Sequence, residues 1–374
     1  MFGALALWGF RKPDYQTPTR HFVEKIDLCS REYCDFLALI HYSINMKKNI
    51  AVITGGEASE RGISLKSADV VCRHLNKDKY NVFKIVIEGN DWVVERNNPV
   101  KLFIDKNDFT FTIEGHKITF DAVFMALHGT PAEDGKLQGY FDMLKIPYNA
   151  CGVLQAALTF DKLRCKEYLA PLGIKTPKAA IFYKHVSGEQ RSDIPLPVFV
   201  KPNKNGSSYG ASKVSKIEDL KSAIENAFQY DDEVLVEEYI QGTEVTCGVI
   251  TLDGKITALP LTEIRSKSEF FDYKAKYEGH SQEVTPAEID AALAKRIQET
   301  SQQIYRKLDF KGMCRIDYLI KHGEYYMLEV NSIPGLSEES IVPQQARAMG
   351  ISLEQLFEIS IEESLKKTAS AQTV

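Results

Sequence analysis

The apolar run Asn49-Ile-Ala-Val-Ile-Thr54 leads directly into Gly55-Gly56, after which Leu65, Ala68, Cys72 and Leu75 recur at helical spacing. A strand that feeds a helix through a glycine turn is a building block of parallel sheets. Further apolar runs at Val82–Ile87 and Asp121–Leu127 continue the alternation. Residues 47–150 are therefore expected to form an α/β domain on a doubly wound parallel sheet, with a ligand facing the loops that leave the strand C-termini.

The pattern changes near Ala150. Helices are expected at Gly152–Phe160 and Asp161–Ala170, then a strand at Pro197–Lys201 and a helix carrying Leu220, Ile224 and Phe228. Together these read as a central α+β unit over residues 151–236. After the strand Val234–Tyr239, strands at Glu244–Ile250, Lys255–Pro260, Met313–Lys321 and Glu324–Asn331 and helices at about Glu288–Leu308 and Ser352–Leu365 read as a larger α+β unit over 237–370. Residues 1–46 mix aromatic, charged and proline residues without strand alternation, although Ile26 to Ile40 can form a short helix, and the sequence restarts at Met46-Lys47-Lys48. They are expected to be an extension, either an upstream mis-assigned start or a poorly ordered appendage.

A chain of 374 residues, 44% hydrophobic and 26% charged, has the material for two or three folded domains. Its net charge of −5 supplies no overall basic field for nucleic acid or anionic lipid, so neither nucleic acid nor membrane is an expected partner, and a small ligand is. The seven cysteines are scattered without a CxxC pair, which fits neither a disulfide framework nor a zinc site and points to a reducing compartment. No apolar run approaches the ~18 residues of a spanning helix, and the first residues lack a basic region and a cleavage site. The expected location is cytoplasmic.

Three segments carry chemistry. Pro197-Val-Phe-Val-Lys-Pro-Asn-Lys-Asn-Gly-Ser-Ser-Tyr-Gly210 is a strand ending in Lys201, followed by a glycine/serine loop that includes Ser207 and Ser208. Backbone N–H groups and hydroxyls in such a loop can cradle anionic oxygens, with Lys201 adding positive charge. It is not the usual GxxxxGK[ST] P-loop, and a surface hairpin whose glycines serve the turn is the alternative.

Strand alternation puts Arg315 and Asp317 on one face of Met313–Leu319, and Glu329 and Asn331 on one face of Tyr326–Ser332. Two carboxylates and an amide suit Mg²⁺ shared with nucleotide phosphates, whereas a solvated polar face of an antiparallel sheet is the plainer reading. Between these segments, an apolar strand ends in Glu237, Tyr239 and Ile240, and Glu244 follows a turn. This stretch can clamp a purine through backbone groups and leave a carboxylate for ribose hydroxyls, or be an ordinary strand and turn.

Taken in order, these segments resemble the ATP-grasp fold and, more closely, the D-alanine–D-alanine ligase family. The resemblance runs from about Asn49 to Gly350. It rests on Gly55-Gly-Glu-Ala-Ser-Glu-Arg-Gly-Ile-Ser64, Ala126-Leu-His-Gly-Thr-Pro-Ala-Glu-Asp-Gly-Lys-Leu-Gln-Gly139, Asp161-Lys162, the Lys201 loop, Phe271-Asp-Tyr-Lys-Ala-Lys-Tyr277, Arg315-Ile-Asp317, and Glu329-Val-Asn331 through Pro334-Gly335 to Ser340.

The resemblance implies that ATP phosphorylates the carboxylate of one D-alanine, and that the amine of a second D-alanine attacks the acyl phosphate to give the dipeptide for peptidoglycan precursor synthesis. It implies ATP-phosphate roles for Lys162, Lys201 and Ser208, and places adenine and ribose against Glu237, Tyr239, Ile240 and Glu244. Asp317, Glu329 and Asn331 would hold two Mg²⁺ ions, with Mn²⁺ as a substitute. Arg315 and the backbone N–H of Gly335 would stabilise the tetrahedral oxyanion.

By the same resemblance Glu60 would pair with the ammonium of the first D-alanine and His128 would lie near its carboxylate. Ser340 and Ile341 would receive the carboxylate of the second. Ser266–Pro286 would be a lid in which Lys276 reaches the γ-phosphate and Tyr277 bonds Ser207, which in turn holds Glu60. A homodimer is also implied.

Read without the family, His128 is a structural hydrogen-bond donor, Glu133 serves only loop backbone groups, and Lys276 and Tyr277 belong to a solvated loop. The sequence departs from the family pattern at Gly62, where an acidic residue is common, and at Ser332, where threonine is frequent. Competing readings are a D-alanine–D-lactate ligase, another ATP-grasp amino-acid ligase, a nucleotide-binding regulator without turnover, and a dinucleotide oxidoreductase. The last lacks GxGxxG.

Overall fold

The computed structural model describes residues 47–371 apart from 58, 97, 99, 187–189 and 267–280. The expectations for residues 1–46 and for the centre of the 266–286 segment, including Lys276 and Tyr277, lie outside the described residues.

The unit that begins at Lys48 opens with β1 (Lys48–Gly55), α1 (Arg61–His74), β2 (Tyr80–Glu88), β3 (Asp91–Val94), β4 (Leu102–Phe103), the β5–β6 hairpin (Phe111–Ile113 and His116–Ile118) and β7 (Ala122–Met125). The sheet order is β4-β3-β2-β1-β7. β1 lies between β2 and β7, parallel to both, while β3 and β4 add an antiparallel edge. Ile50, Ala51, Val52 and Ile53 are fully buried, as an unbroken apolar strand in a sheet covered on both faces must be. At the end of β1 Gly55 has φ +97, and a Cβ there would collide with the carbonyl of Ile87. Only glycine lets the chain turn this close to β2.

One face of this sheet packs against α1 and against residues from the far end of the chain, with Phe124 edge-on to Phe357 at 5.6 Å. The other face buries a cluster of aromatic rings around Phe109, Phe111, Phe120 and Phe141. Single-segment periodicity does not reveal such a distant cover.

Next come α2 (Lys136–Leu144), α3 (Val153–Phe160), α4 (Lys162–Leu169), β8 (Ala179–Tyr183), β9 (Val198–Pro202), β10 (Ser212–Val214), α5 (Ile217–Ala227) and β11 (Glu233–Glu238). Their strands form an antiparallel sheet in the order β10-β9-β11-β8. The remainder is β12 (Thr243–Leu252), β13 (Lys255–Ala258), β14 (Thr262–Ser266), β15 (Ser281–Val284), α6 (Ala291–Lys307), β16 (Cys314–Lys321), β17 (Glu324–Asn331), α7 (Ile341–Ala348) and α8 (Leu353–Ala371). This second antiparallel sheet has the order β15-β14-β12-β16-β17, with β13 beside β12.

The expected strands and helices within the described residues are present with small shifts at their ends. Short strands such as β8 and β10, and the helix α7, are additional. α7 carries Pro343 in its first turn, where a missing N–H costs nothing, so a proline that reads as a breaker in sequence sits inside a helix. Among the described residues, no helix is long and apolar enough to cross a membrane.

Candidate active site

A cavity of about 590 Å³ lies between the two antiparallel sheets. Lys201 at the end of β9 and the loop through Ser207 and Ser208 form one wall, while Asp317 of β16 and Glu329 of β17 face them. Tyr239, Ile240 and Glu244, between β11 and the start of β12, line the same space. The three chemistry-bearing segments of the sequence thus meet at one place.

The loop after β9 is strained. Ser207 and Ser208 have φ of 49° and 58°, a left-handed conformation that costs an L-residue ~1–2 kcal/mol. In this conformation the Ser207 hydroxyl donates to Glu60 Oε1 at 2.5 Å. Gly206 lets the carboxylate approach, because a Cβ there would stand 2.5 Å from Glu60 Oε2. Glu60, just ahead of α1, is buried, so the pairing of Ser207 with Glu60 joins the loop after β1 to the glycine/serine loop. Gly62 follows with open space where a Cβ would stand, so packing does not require glycine there.

Lys162 opens α4 and donates to the Asn205 carbonyl at 2.6 Å, while its Nζ lies 3.7 Å from Glu329 Oε2. Asn203, fully buried, ties this helix to the loop: its Oδ1 accepts from Leu163 N at 3.0 Å, and its Nδ2 donates to Asp161 and Glu233 at 2.8 and 2.9 Å.

Lys201 Nζ sits 2.9 Å from Glu237 Oε2, and the other oxygen of Glu237 is paired with Lys166, one helical turn beyond Lys162. Burial disfavours the charge on Glu237, but the two ammonium groups outweigh it and hold its carboxyl below the ordinary range. Burial likewise works against Lys201, and the carboxylates of Glu237, Glu329 and Asp317 more than offset it, raising its pKa.

On β16, Arg315 Nε and Nη2 donate to the two oxygens of Asp317, each at 2.8 Å. The register of β16 on β17 sets Arg315 opposite Asn331 and Asp317 opposite Glu329, and Asn331 Nδ2 donates to Asp317 Oδ2 at 3.0 Å. The ladder shifts just after Asp317, a bulge of the kind that re-aims side chains at functional sites.

Among the described residues, no group of three or more His, Cys, Asp or Glu side chains gathers to hold a metal. Two carboxylates and one amide nevertheless fit Mg²⁺, which takes one or two protein carboxylates and completes its shell with phosphate and water.

After β17 the chain turns through Gly335 to α7. Ser340, the residue before α7, accepts at Oγ from Ser337 N at 3.1 Å and lies 2.7 Å from Ser337 Oγ, and a Cβ on Gly335 would stand 2.8 Å from it. Ser340 and Gly335 are therefore in contact, and Ile341 begins the helix.

His128 is buried. Its Nδ1 lies 3.0 Å from the Ile333 carbonyl, to which it donates, and its Nε2 lies 3.0 Å from Ser67 Oγ. Leu336 N donates to the same Ser67 oxygen at 3.3 Å. Burial lowers the histidine's pKa despite the nearby Glu60 carboxylate, so the ring is neutral and braces α1 against the loop that carries Gly335.

Glu133 accepts from Gly129 N at 2.8 Å and Ile333 N at 3.3 Å, the backbone role read from its turn. Burial, with Glu60 adding to it, pushes its carboxyl up to about 8.

Lys166, Asn203 and Ser67 were not legible as site residues. For Lys166 the available signal is its spacing of four from Lys162 on one helix face. Ser67 lies three residues after Ser64, whose hydroxyl accepts from the backbone N–H of His128 at 2.9 Å.

Residues 49–151 match the family model described as the D-ala D-ala ligase N-terminus, and residues 170–362 match that of the D-ala D-ala ligase C-terminus. The chain is 49% identical over 324 residues to the D-alanine–D-alanine ligase of Flavobacterium johnsoniae, covering 85% of this chain and 99% of the relative. It is 44% identical over 328 residues to that of Parabacteroides distasonis, covering 86% and 98%. Among solved structures, the VanG D-Ala:D-Ser ligase of Enterococcus faecalis superposes with a TM-score of 0.75 at 34% identity, over 85% of this chain and 99% of that one. The D-alanine–D-alanine ligase of Bacillus anthracis complexed with ATP does so with a TM-score of 0.69 at 30% identity, over 87% and 99%.

Proposed function

This chain belongs to the D-alanine–D-alanine ligase family, with the ATP-grasp fold, and from that premise we infer that it joins two D-alanine molecules at the expense of ATP to make D-alanyl-D-alanine for peptidoglycan precursors. The observation that carries the reading is the meeting of Lys162, Lys201, Asp317 and Glu329 around one cavity beside Arg315. That arrangement suits a reaction in which two anions must be brought together.

The carboxylate of the first D-alanine attacks the γ-phosphorus of ATP, ADP leaves, and the acyl phosphate is activated for attack. The amine of the second D-alanine then adds to the acyl carbon, and phosphate departs as the peptide bond forms. We assign Lys162, Lys201 and Ser208 to the ATP phosphates and Glu237, Tyr239, Ile240 and Glu244 to adenine and ribose. Lys276, outside the described residues, is proposed for the γ-phosphate, and Tyr277, likewise outside them, for Ser207. Glu60, oriented by Ser207, takes the ammonium of the first substrate, with His128 near its carboxylate. Ser340 and Ile341 receive the carboxylate of the second.

Arg315 and the N–H of Gly335 stabilise the tetrahedral oxyanion that develops when the amine adds to the acyl carbon. Asp317, Glu329 and Asn331 would hold two Mg²⁺ ions, or Mn²⁺, which neutralise phosphate charge. Part of the reading is also an organisation into residues 47–150, 151–236 and 237–370, a homodimeric state and a cytoplasmic location.

The test is phosphate release from ATP with D-alanine, with L-alanine, and with D-alanine plus D-lactate, the products being weighed by mass spectrometry. D-alanyl-D-alanine from D-alanine alone is expected. Turnover with L-alanine and none with D-alanine would overturn the substrate assignment.

A further inference from the structure

Glu237 is the most enclosed acid at the cavity, 2% exposed, and it carries two lysines rather than one. They are not equivalent. Lys201 lines the cavity beside the glycine/serine loop, where an incoming phosphate would compete for its ammonium group. Lys166 does not line the cavity; it stands on α4 behind Glu237, is 5% exposed, and among the described residues has Glu237 as its only hydrogen-bond acceptor.

A carboxylate this deeply buried cannot stay ionised without a cation, and removing one partner of a buried pair is strongly unfavourable. If Lys201 were the sole counter-ion, its engagement with a nucleotide would strip Glu237 of its charge partner while the base arrives.

We propose that Lys166 is the resident counter-ion of Glu237, a positioning residue that keeps this carboxylate ionised and aimed at the amino group of the adenine while Lys201 is shared with the phosphates. The proposal rests on the assignment of Glu237 to the base. Lys166 itself touches neither ATP nor D-alanine, and it makes the site selective for a purine that presents a donor at position 6.

Helix geometry couples the two ends of the nucleotide. Lys162 and Lys166 are four residues apart on α4, so they project from the same face, one toward the phosphate loop and one toward the base. The cap on Asp161 and the bonds to Asn203 anchor that helix, so both lysines are held by the same local structure.

The experiment compares ATP with inosine triphosphate, which carries a carbonyl where adenine carries its amino group. It uses the full chain and both calorimetric binding and steady-state turnover. Lys166→Met is expected to raise KM for ATP about tenfold, the scale of a lost hydrogen bond to a charged group, and to narrow the preference for ATP over inosine triphosphate by a similar factor. The KM for D-alanine should not change. Glu237→Gln should narrow the preference by itself, and adding Lys166→Met to it should have no further effect.

An unchanged preference in Lys166→Met, alongside a narrowed one in Glu237→Gln, would overturn the role of Lys166 alone. An unchanged preference in Glu237→Gln would overturn the base assignment and the proposal with it. Additive effects in the double variant would also overturn the proposal. Should Lys166→Met fail to fold, Lys166→Gln, which keeps a donor without the charge, is read in the same way.

Discussion

Arg315 and Asp317, two positions apart on one strand, hold each other through two parallel hydrogen bonds of 2.8 Å. Alternation puts both on one face, and the planar guanidinium matches the two carboxylate oxygens. The cation assigned to the oxyanion and the carboxylate assigned to metal thus neutralise each other at the wall of the cavity.

Arg315→Ala is therefore expected to fold and to bind ATP, yet to lose about 10²–10³-fold in kcat, the usual effect of removing one oxyanion donor. Calorimetric ATP binding beside phosphate-release kinetics checks this. Wild-type turnover would remove Arg315 from the chemistry.

Asp317→Asn keeps the shape of the side chain but leaves one carboxylate, Glu329, opposite the ladder position of Asp317. The Mg²⁺ concentration for half-maximal activity should rise at least about tenfold, and chelation with EDTA should abolish turnover of the wild type. A metal titration of phosphate release decides it.

Ser207→Ala removes the hydroxyl that bonds Glu60. A hydrogen bond to a charged group is worth roughly 1.5–3 kcal/mol, so the KM for the first D-alanine should rise about 10–100-fold with little change in thermal stability. Separate measurement of the two D-alanine sites by substrate-saturation curves would show whether only the first is affected.

Asn203→Ala breaks three hydrogen bonds that join α4 to the loop and to β11. The expected loss is about 2–4 kcal/mol, because buried partners are left unsatisfied. Urea unfolding gives the stability, and a weakened ATP KM should accompany it through Lys162.

His128 titrates below its ordinary value of about 6.5 because burial disfavours the charged ring. In the window between the folded and unfolded values the unfolded chain binds the extra proton. The contribution of this group to stability is therefore complete above about pH 6.5 and is lost as pH falls toward the folded value. Thermal melts of the wild type should drop between pH 7 and pH 5 by more than those of His128→Gln. Parallel curves for the two proteins would refute the linkage.

Much of the architecture is legible in the sequence because its signals are local. The apolar run at Ile50–Ile53, the glycine turn and the helical repeat of α1 are readable from adjacent residues, and so is the shared face of Arg315 with Asp317. Glu237 is a different matter: it reads as a strand-end acid facing a nucleotide, whereas it is clamped by Lys166 and Lys201. Spacing shows that Lys162 and Lys166 share a face of α4, but not which acid lies across from them.

His128 likewise meets Ser67 and Ile333, 61 and 205 residues away, and nothing near it in sequence names either partner. By itself the sequence determined the longer strands and helices and which side chains can carry charge or hydrogen bonds, because periodicity and side-chain chemistry act over a few residues. Only the tertiary structure decided which of those side chains face one another, since register, burial and the neutralisation of a buried charge depend on segments the chain brings together from far apart.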